Sequence, residues 1–338
     1  MGIKEIKSGR DFTLDIVRVF LTLWIVGIDH GWGYAGVSLP DGMTMITVIV
    51  LGSFFWLSGY LLGKYKFETT QDIQVYYKKR FFRFYLLFLA SAIVFASGEL
   101  LHKHWFSSVA QFFELILGVG FISSEPVPTL WFMSMLMFFY IITPIIRFSG
   151  QQTLLSSKIF KIFIILIPCL LVMLIHGDVR YILFLPCYII GLYSKKEWLK
   201  PIRNNCVLLL GGTIVILFFL IKYCGFRYYQ GAFYILWPII LFGVVCVYSF
   251  GCIFNKFLTL MGGGKFLIIN KIIEWLAYIS LALYLFHRQV YELTSIIIKK
   301  IGVDLTLLHL YLFMLPLACL TAYLIQKLYD KVINSIFR

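Results

Sequence analysis

Long apolar runs alternate with short polar or charged segments along nearly the whole chain. Because a helix needs about 20 apolar residues to cross the hydrocarbon core of a bilayer, runs of this length predict membrane-spanning helices. The predicted spans are 12–34, 43–63, 82–101, 129–147, 159–176, 180–194, 206–222, 232–252, 274–298 and 307–326. The pattern therefore predicts an all-α, multi-pass integral membrane helical bundle of about ten transmembrane helices. We expect residues 1–338 to form a single membrane domain with no added soluble domain.

Three of the runs need a separate interpretation. The run 12–34 is too long for the apolar part of a signal peptide, so we expect an uncleaved first span. The run 180–194 is short, which leaves the number of spans open by one. The run 109–122 is also short and has serines at both ends, so we interpret it as interfacial or re-entrant.

Composition supports a membrane protein and excludes several other classes. The chain is 61% hydrophobic and 14% charged, whereas soluble domains are about 45–50% apolar and about 25% charged. A soluble enzyme, a disordered chain and a secreted disulfide scaffold are therefore excluded. The 7 cysteines lie singly in or beside apolar runs, without the spacing of a zinc site, and we predict no metal.

The net charge of +14 is distributed unevenly between the two sides of the predicted bundle. With both termini cytoplasmic, 22 of the 30 Lys and Arg residues fall in inner segments and 6 in outer ones. This bias agrees with the positive-inside rule and explains the charge without a nucleic-acid partner.

Ionisable residues at membrane depth are costly, so those in the first span are candidates for function. Asp15 and Arg18 are three residues apart and can pair on one helix face. His30 is the best candidate for proton transfer, because an imidazole titrates near neutral pH. Asp29 is a poor partner for it, since adjacent helical residues point about 100° apart.

Polar residues in later spans extend the candidate site. Arg80 and Arg83 share a face just before the third span, where they either clamp phosphates or simply supply inner charge. Ser58, next to a glycine in an aromatic run, suggests close helix approach. Further candidates for a substrate cavity are Trp131, Tyr140, Ser280, Tyr284 and His287, of which the last three lie on one helix face.

These elements, in this order, resemble the membrane-bound acyltransferase-3 family over residues from about 11 to 326. The matching segments are 14–18 with Asp29 and His30, 54–60, Arg80 with Arg83, 130–132 with Tyr140 and Pro144, and 279–287. Members are multi-pass bacterial proteins that O-acylate glycans and related acceptors.

The resemblance implies an integral membrane O-acyltransferase of the bacterial cytoplasmic membrane, and we favour an O-acetyltransferase. The donor would be cytoplasmic acyl-CoA, with acetyl-CoA as the co-substrate. The acceptor would be a hydroxyl of a cell-envelope glycan or of its lipid-linked precursor, in contact with membrane lipids. By the same resemblance, His30 is the essential proton-transfer residue, and Arg18, Arg80 and Arg83 bind the donor or order the site.

The first span departs from the family in one respect. The family usually has ten residues between its arginine and histidine, whereas eleven separate Arg18 from His30. On a regular helix Asp29 therefore returns to the face of Arg18, and His30 falls about 120° away. Either Asp29 has taken the catalytic role, or a one-residue π-bulge, for which Gly27 is a suitable site, rephases the helix. We favour the bulge, with His30 as the base.

Two other functions stay open at this point. One is an exporter or flippase for a glycan or lipid-linked glycan, whose signature would be inverted repeats with broken helices. The other is a structural subunit of a polysaccharide synthase. A second departure from the family, Arg288 in place of a frequent proline, affects the local shape beside His287.

Overall fold

The computed structural model describes residues 11–98, 106, 108–122, 127–150, 154, 157–224, 233–260 and 264–336. These residues form helices and connecting turns, and none of them lies in a strand. The helices are α1 Phe12–Leu23, α2 Gly31–Tyr34, α3 Asp41–Leu62, α4 Thr70–Tyr76, α5 Phe82–Gly98, α6 Val109–Ile116, α7 Leu130–Arg147, α8 Lys158–Leu174, α9 Arg180–Tyr193, α10 Lys196–Asn204, α11 Cys206–Cys224, α12 Phe233–Leu260, α13 Gly264–Lys300, α14 Leu307–His309 and α15 Leu315–Ile336. Three π-helical segments join them, at Trp24–Asp29, Tyr77–Phe81 and Leu310–Met314.

Every predicted apolar run coincides with at least one helix, which confirms the all-α fold. Within the described ranges, six helices are long and apolar enough to cross a membrane. A seventh candidate joins α10 to α11, which meet at an angle of 87°. The prediction of about ten spans remains a prediction, because α8 and α9 are short and the first run is divided by a π segment. The same is true of the cytoplasmic termini, since residues 1–10 and 337–338 lie outside the described ranges.

The short run 109–122 forms no long helix. The helix α6 has eight residues and is followed by a single 3₁₀ turn at Gly120–Ile122. Gly118, between them, has a φ of 78°, a conformation that favours glycine. At a rise of about 1.5 Å per residue, α6 is far shorter than a bilayer core, as the interpretation of an interfacial or re-entrant segment requires.

Glycines bring α3 and α9 into direct backbone contact. A Cβ atom on Gly59 would lie 2.2 Å from the carbonyl oxygen of Tyr188, and one on Gly191 would lie 2.1 Å from that of Trp56. Neither distance is compatible with a side chain, so only glycine allows this helix spacing. The close approach predicted next to Ser58 is confirmed.

The first helix lies in the middle of the bundle, against α3, α12 and α13. Its N-terminus is fixed by Asp11, whose carboxylate accepts from the amide of Thr13 at 3.2 Å. The same carboxylate accepts from Arg203 of α10 at 2.7 Å. This anchoring holds α1 in register with its neighbours, and α1, α3, α7 and α13 together line the candidate site.

Candidate active site

A π-helical turn interrupts the first span directly before His30. It covers Trp24–Asp29, with Gly27 inside it, and the amide of His30 donates to the carbonyl of Ile25 five residues earlier at 2.9 Å. A π turn accommodates one extra residue and so rotates the residues that follow it. The bulge predicted from the spacing of Arg18 and His30 is therefore confirmed, at the predicted place.

Two tyrosine hydroxyls stabilise the π turn. Tyr291 donates to the carbonyl of Val26, and Tyr311 donates to that of Gly27, both at 3.2 Å. Tyr311 in turn accepts from the indole of Trp32 at 2.8 Å. Irregular helix turns weaken the regular ladder of backbone hydrogen bonds, and at membrane depth the affected carbonyls need other donors. The tyrosines of the later helices supply them.

His30 meets a second histidine in the core of the bundle. Its Nδ1 atom lies 2.8 Å from Nε2 of His287, and the two rings are nearly parallel, with an interplanar angle of 6°. The other nitrogen of His287, Nδ1, lies 2.8 Å from the carbonyl oxygen of Tyr284 and 3.2 Å from that of Leu283. His287 is only 1% exposed, so it lies behind His30.

The carboxylate of Asp29 lies close to the imidazole of His30. One carboxylate oxygen accepts from the hydroxyl of Thr47 at 2.9 Å, and the other lies 3.5 Å from Nε2 of His30. The expectation that Asp29 is a poor partner for His30 needs correction, because the two residues stand at the end of a π turn and line the same cavities. The imidazole thus lies between a carboxylate and a second imidazole.

A cavity of about 590 Å³, here called the His30 cavity, opens beside these groups. Its polar lining includes Asp29, His30, Thr44, Thr47, Thr129, Asp178, Arg180, Tyr284 and Arg288. A second cavity of about 510 Å³ shares Asp29, His30 and Arg288 with it and adds Tyr34, Glu292 and Lys299. His30 therefore lines two cavities.

One wall of the His30 cavity carries a fixed arginine. Asp178 binds Arg180 through both carboxylate oxygens, with its shortest contact at 2.8 Å. The guanidinium lies over the ring of Trp131, 3.7 Å from the ring centroid. Cation–π contact and bidentate pairing together hold Arg180 in one orientation, so Trp131 takes the cavity position that the sequence predicted for it.

The lining of the His30 cavity also includes Arg288, whose Nε donates to the hydroxyl of Thr129 at 2.5 Å. Thr129 is buried and has a φ of 67°, which a β-branched residue rarely adopts. Its carbonyl accepts from the hydroxyl of Tyr284 at 3.2 Å. Strained backbone persists only where the surroundings hold it, and here two side chains of α13 bind the hydroxyl and the carbonyl of Thr129.

A separate cavity of about 390 Å³, here called the Arg80 cavity, collects seven of the sequence-predicted residues. They are Arg18, Ser58, Arg80, Arg83, Tyr140, Ser280 and Tyr284. The basic lining residues are these three arginines and Lys79, whereas the acidic one is Asp330, which accepts from Tyr278 at 2.5 Å. This excess of positive charge suits an anion such as a phosphate.

The two cavities follow one another along the same four helices. On α3, Leu51 lines the His30 cavity and Phe54 the Arg80 cavity, and the neighbours Trp131 and Phe132 of α7 divide in the same way. Tyr284 of α13 lines both cavities.

Three aromatic rings of the Arg80 cavity lie next to residues that line the His30 cavity. The ring of Phe132 lies 5.8 Å from that of Phe54 and 5.3 Å from that of Tyr284, and the last two rings are 6.4 Å apart. We call these three residues the aromatic partition.

Some of the predicted residues lie elsewhere. Asp15 is buried and lines none of the three cavities described above. Its pairing with Arg18 stays a prediction. His287, predicted as a cavity residue, contacts the cavity lining through His30 instead.

Sequence reasoning missed five polar residues of the His30 cavity: Thr44, Thr47, Thr129, Asp178 and Arg180. The charges at 178 and 180 directly precede an apolar run, which was a usable signal. A threonine inside or beside an apolar run gives no such signal. Among the described residues, no group of three or more His, Cys, Asp or Glu side chains could hold a metal ion.

The comparisons with known proteins agree with this arrangement. A family model described as "Acyltransferase domain", that of the acyltransferase-3 proteins, matches residues 11–327. No curated protein and no solved structure matches the chain. The match covers the first span with its π turn, the aromatic partition and the lining of the His30 cavity, and it covers the lining of the Arg80 cavity except for Tyr329, Asp330, Ile333 and Asn334. The chain is therefore a member of the acyltransferase-3 family and a multi-pass membrane acyltransferase.

Proposed function

We propose that this protein is an O-acetyltransferase that moves the acetyl group of acetyl-CoA to a hydroxyl of a cell-envelope glycan or its lipid-linked precursor. The observation that carries the proposal is the stacking of the two cavities along four shared helices. One cavity is rich in cations, the other is lined by His30 of the histidine pair, and Tyr284 of the aromatic partition lines both.

The Arg80 cavity is the proposed entrance for the donor. Coenzyme A carries several phosphate charges at one end and its thioester at the other. Arg80 and Arg83 would bind the phosphates, because planar guanidinium groups pair bidentately with phosphate oxygens. The aromatic and aliphatic residues deeper in the cavity, such as Phe54 and Leu136, would then contact the uncharged pantetheine arm.

The His30 cavity is the proposed site for the acceptor hydroxyl. Nε2 of His30 would take the hydroxyl proton as the acceptor oxygen attacks the thioester carbonyl. The carbon–sulfur bond then breaks, and the same proton passes from Nε2 to the sulfur of coenzyme A. Asp29, 3.5 Å from Nε2, would stabilise the imidazolium that forms between these two proton transfers.

The orientation in the membrane follows from charge. The segment with Arg80 belongs to the side with most Lys and Arg residues, so the positive-inside rule assigns the Arg80 cavity to the cytoplasm. Acyl-CoA is a cytoplasmic metabolite, and the His30 cavity would then face the envelope. We accordingly assign the protein to the bacterial cytoplasmic membrane, where a glycan acceptor can reach the outer face.

The proposal is tested by transfer of labelled acetyl from acetyl-CoA into envelope material, in membranes that contain the wild type or a variant. We expect His30→Ala to lower transfer by about 10²- to 10⁴-fold, the usual contribution of a general base. Asp29→Ala should lower it less, because Asp29 only stabilises the charged imidazole. His309→Ala is the matched control, since His309 bonds Thr306 in a helix cap and lines neither cavity.

Other outcomes would change the assignment. If Asp29→Ala alone abolished transfer, the base would be misassigned. If the wild type transferred no label while glycan reached the surface only in its presence, an exporter or flippase would be the better assignment.

A further inference from the structure

The hydrogen-bond partners of His287 determine which of its two nitrogens carries the hydrogen. A neutral imidazole has one N–H donor and one acceptor nitrogen. Nδ1 of His287 faces two carbonyl oxygens, at 2.8 Å from Tyr284 and 3.2 Å from Leu283. Carbonyl oxygens only accept hydrogen bonds, so Nδ1 must be the donor. Nε2 of His287 is therefore an acceptor.

The same accounting extends to His30. Its Nδ1 lies 2.8 Å from the acceptor Nε2 of His287, so Nδ1 of His30 must carry a hydrogen and donate it. The remaining nitrogen of a neutral His30, Nε2, then has a free lone pair. His30 and Asp29 both line the His30 cavity, and Nε2 is the nitrogen beside Asp29, so a hydroxyl bound there would meet this lone pair.

The alternative arrangement is unfavourable. If His287 donated from Nε2 and stayed neutral, its Nδ1 lone pair would face two carbonyl oxygens at hydrogen-bond distance. If both nitrogens carried hydrogen, a positive charge would be buried on a side chain that is 1% exposed. Both arrangements cost more free energy than the one in which His30 donates from Nδ1.

Asp29 favours the opposite tautomer of His30. Its carboxylate lies 3.5 Å from Nε2 of His30 and attracts a hydrogen to that nitrogen. With hydrogen on Nε2, a neutral His30 would have no lone pair towards the acceptor and could not act as a base there. His287 opposes this by accepting from Nδ1.

We propose that His287 is a positioning residue that holds His30 in the tautomer with hydrogen on Nδ1, so that Nε2 is the base. The inference rests on the proposed acyl transfer for its consequence in catalysis, but not for its geometry. During the reaction Nε2 gains the acceptor proton and later loses it to the sulfur of coenzyme A. Nδ1 keeps its hydrogen throughout, and His287 touches neither the donor nor the acceptor.

The variant pair His287→Phe and His287→Gln tests this role. Phenylalanine fills the space but cannot accept a hydrogen bond, whereas glutamine offers one carbonyl oxygen as an acceptor. We expect His287→Phe to lower kcat by about 10²- to 10⁴-fold, the range for loss of a base or of its correct tautomer. KM for acetyl-CoA should change little, because the Arg80 cavity is untouched. His287→Gln should recover most of kcat.

A spectroscopic measurement of the His30 tautomer does not depend on activity or on knowing the acceptor. In protein labelled with ¹⁵N-histidine, the signals of His30 are assigned by their loss in His30→Ala. We expect Nδ1–H in the wild type and in His287→Gln, and a shift towards Nε2–H in folded His287→Phe. Hydrogen on Nε2 in the wild type would overturn the inference, as would equal kcat in the Phe and Gln variants. Acetyl transfer by the wild type is a separate question, so failure of the proposed function would leave the tautomer result standing.

Discussion

Lys78, Lys79 and Arg80 are consecutive cations, yet only the last two line the Arg80 cavity. Arg83, one turn further on, lines it as well. From the sequence, phosphate binding and positive-inside charge explained these residues equally well. In the structure Arg80 lines the cavity and Lys78 does not. Lys78 is therefore a matched control for Arg80.

We expect Arg80→Ala and Arg83→Ala each to raise KM for acetyl-CoA by about 10- to 100-fold, as loss of a charge-assisted hydrogen bond of about 1.5–3 kcal/mol implies. Lys78→Ala removes the same charge from the same segment and should leave KM unchanged. Steady-state transfer with acetyl-CoA measures the effect. S-acetyl-pantetheine, which lacks the phosphates, should show no difference between the variants. An equal loss with both donors would contradict the phosphate role.

At the scale of single residues, the sequence predicted His30 as a site residue but not its contact with His287. His30 was recognisable because a histidine at membrane depth is rare and because imidazole is a common proton-transfer group. His287 stands 257 residues further along the chain, and only the packing of α13 against the π turn brings the two rings together. Hydrogen-bond accounting between them needs coordinates.

At the scale of the helices, the π turn shows how much of the structure helical periodicity can predict from the sequence. One residue too many between Arg18 and His30 predicted a bulge, because eleven regular steps would direct His30 away from the site. The tyrosines that stabilise the turn could not be predicted, since they come from α13 and from the π segment Leu310–Met314. The hydrophobic pattern did not predict the 87° angle between α10 and α11 either.

The contact between α3 and α9 gives a prediction for stability. Gly59→Ala would place a methyl group 2.2 Å from a backbone oxygen, which cannot rotate away as a side chain can. We expect a loss of about 1–3 kcal/mol in unfolding free energy, as for other overpacked interiors. Thermal unfolding in detergent measures it.

Gly211→Ala, in α11, is the control for that measurement. A methyl group there meets nothing within 4 Å, and alanine is the better helix former by about 0.5–1 kcal/mol. The control should unfold at the same temperature as the wild type or higher. If Gly59→Ala behaved likewise, the helices would be less closely packed than the structure indicates.

At the scale of the whole molecule, we expect the aromatic partition to limit the access of water from the His30 cavity to the thioester of a bound donor. Phe54 is its half-buried member, so its truncation opens the layer with little loss of core packing. We expect Phe54→Ala to raise hydrolysis of acetyl-CoA several-fold in the absence of an acceptor, because water then reaches the thioester next to His30. Release of free thiol measures the reaction, whose products are acetate and coenzyme A.

Phe20→Ala is the matched control for the partition. Phe20 is also half-buried and packs against Trp24 and Phe250, but it lines neither cavity. It should leave hydrolysis at the level of the wild type. A Phe54→Ala protein with normal transfer and no added hydrolysis would show that the partition does not separate donor from water.

The whole-molecule arrangement was only partly predictable. Hydropathy predicted a helical bundle, and the polar stripe 280, 284 and 287 predicted a cavity along the ninth span. That the cavity is divided in two depends on ring-to-ring contacts between α3, α7 and α13. Such contacts arise from three-dimensional packing and leave no periodic signal in the chain.

The stacked cavities also determine the electrical character of the proposed reaction. An acetyl group crosses the partition outwards, and the proton of the acceptor hydroxyl crosses it inwards to the sulfur. Formally one positive group leaves the cytoplasm as another enters, so a complete turnover moves no net charge. A membrane potential is worth about 2.3 kcal/mol per charge per 100 mV, yet it neither drives nor opposes this exchange. The thioester bond alone would supply the free energy, and acylation of the envelope would continue in cells whose membrane is depolarised.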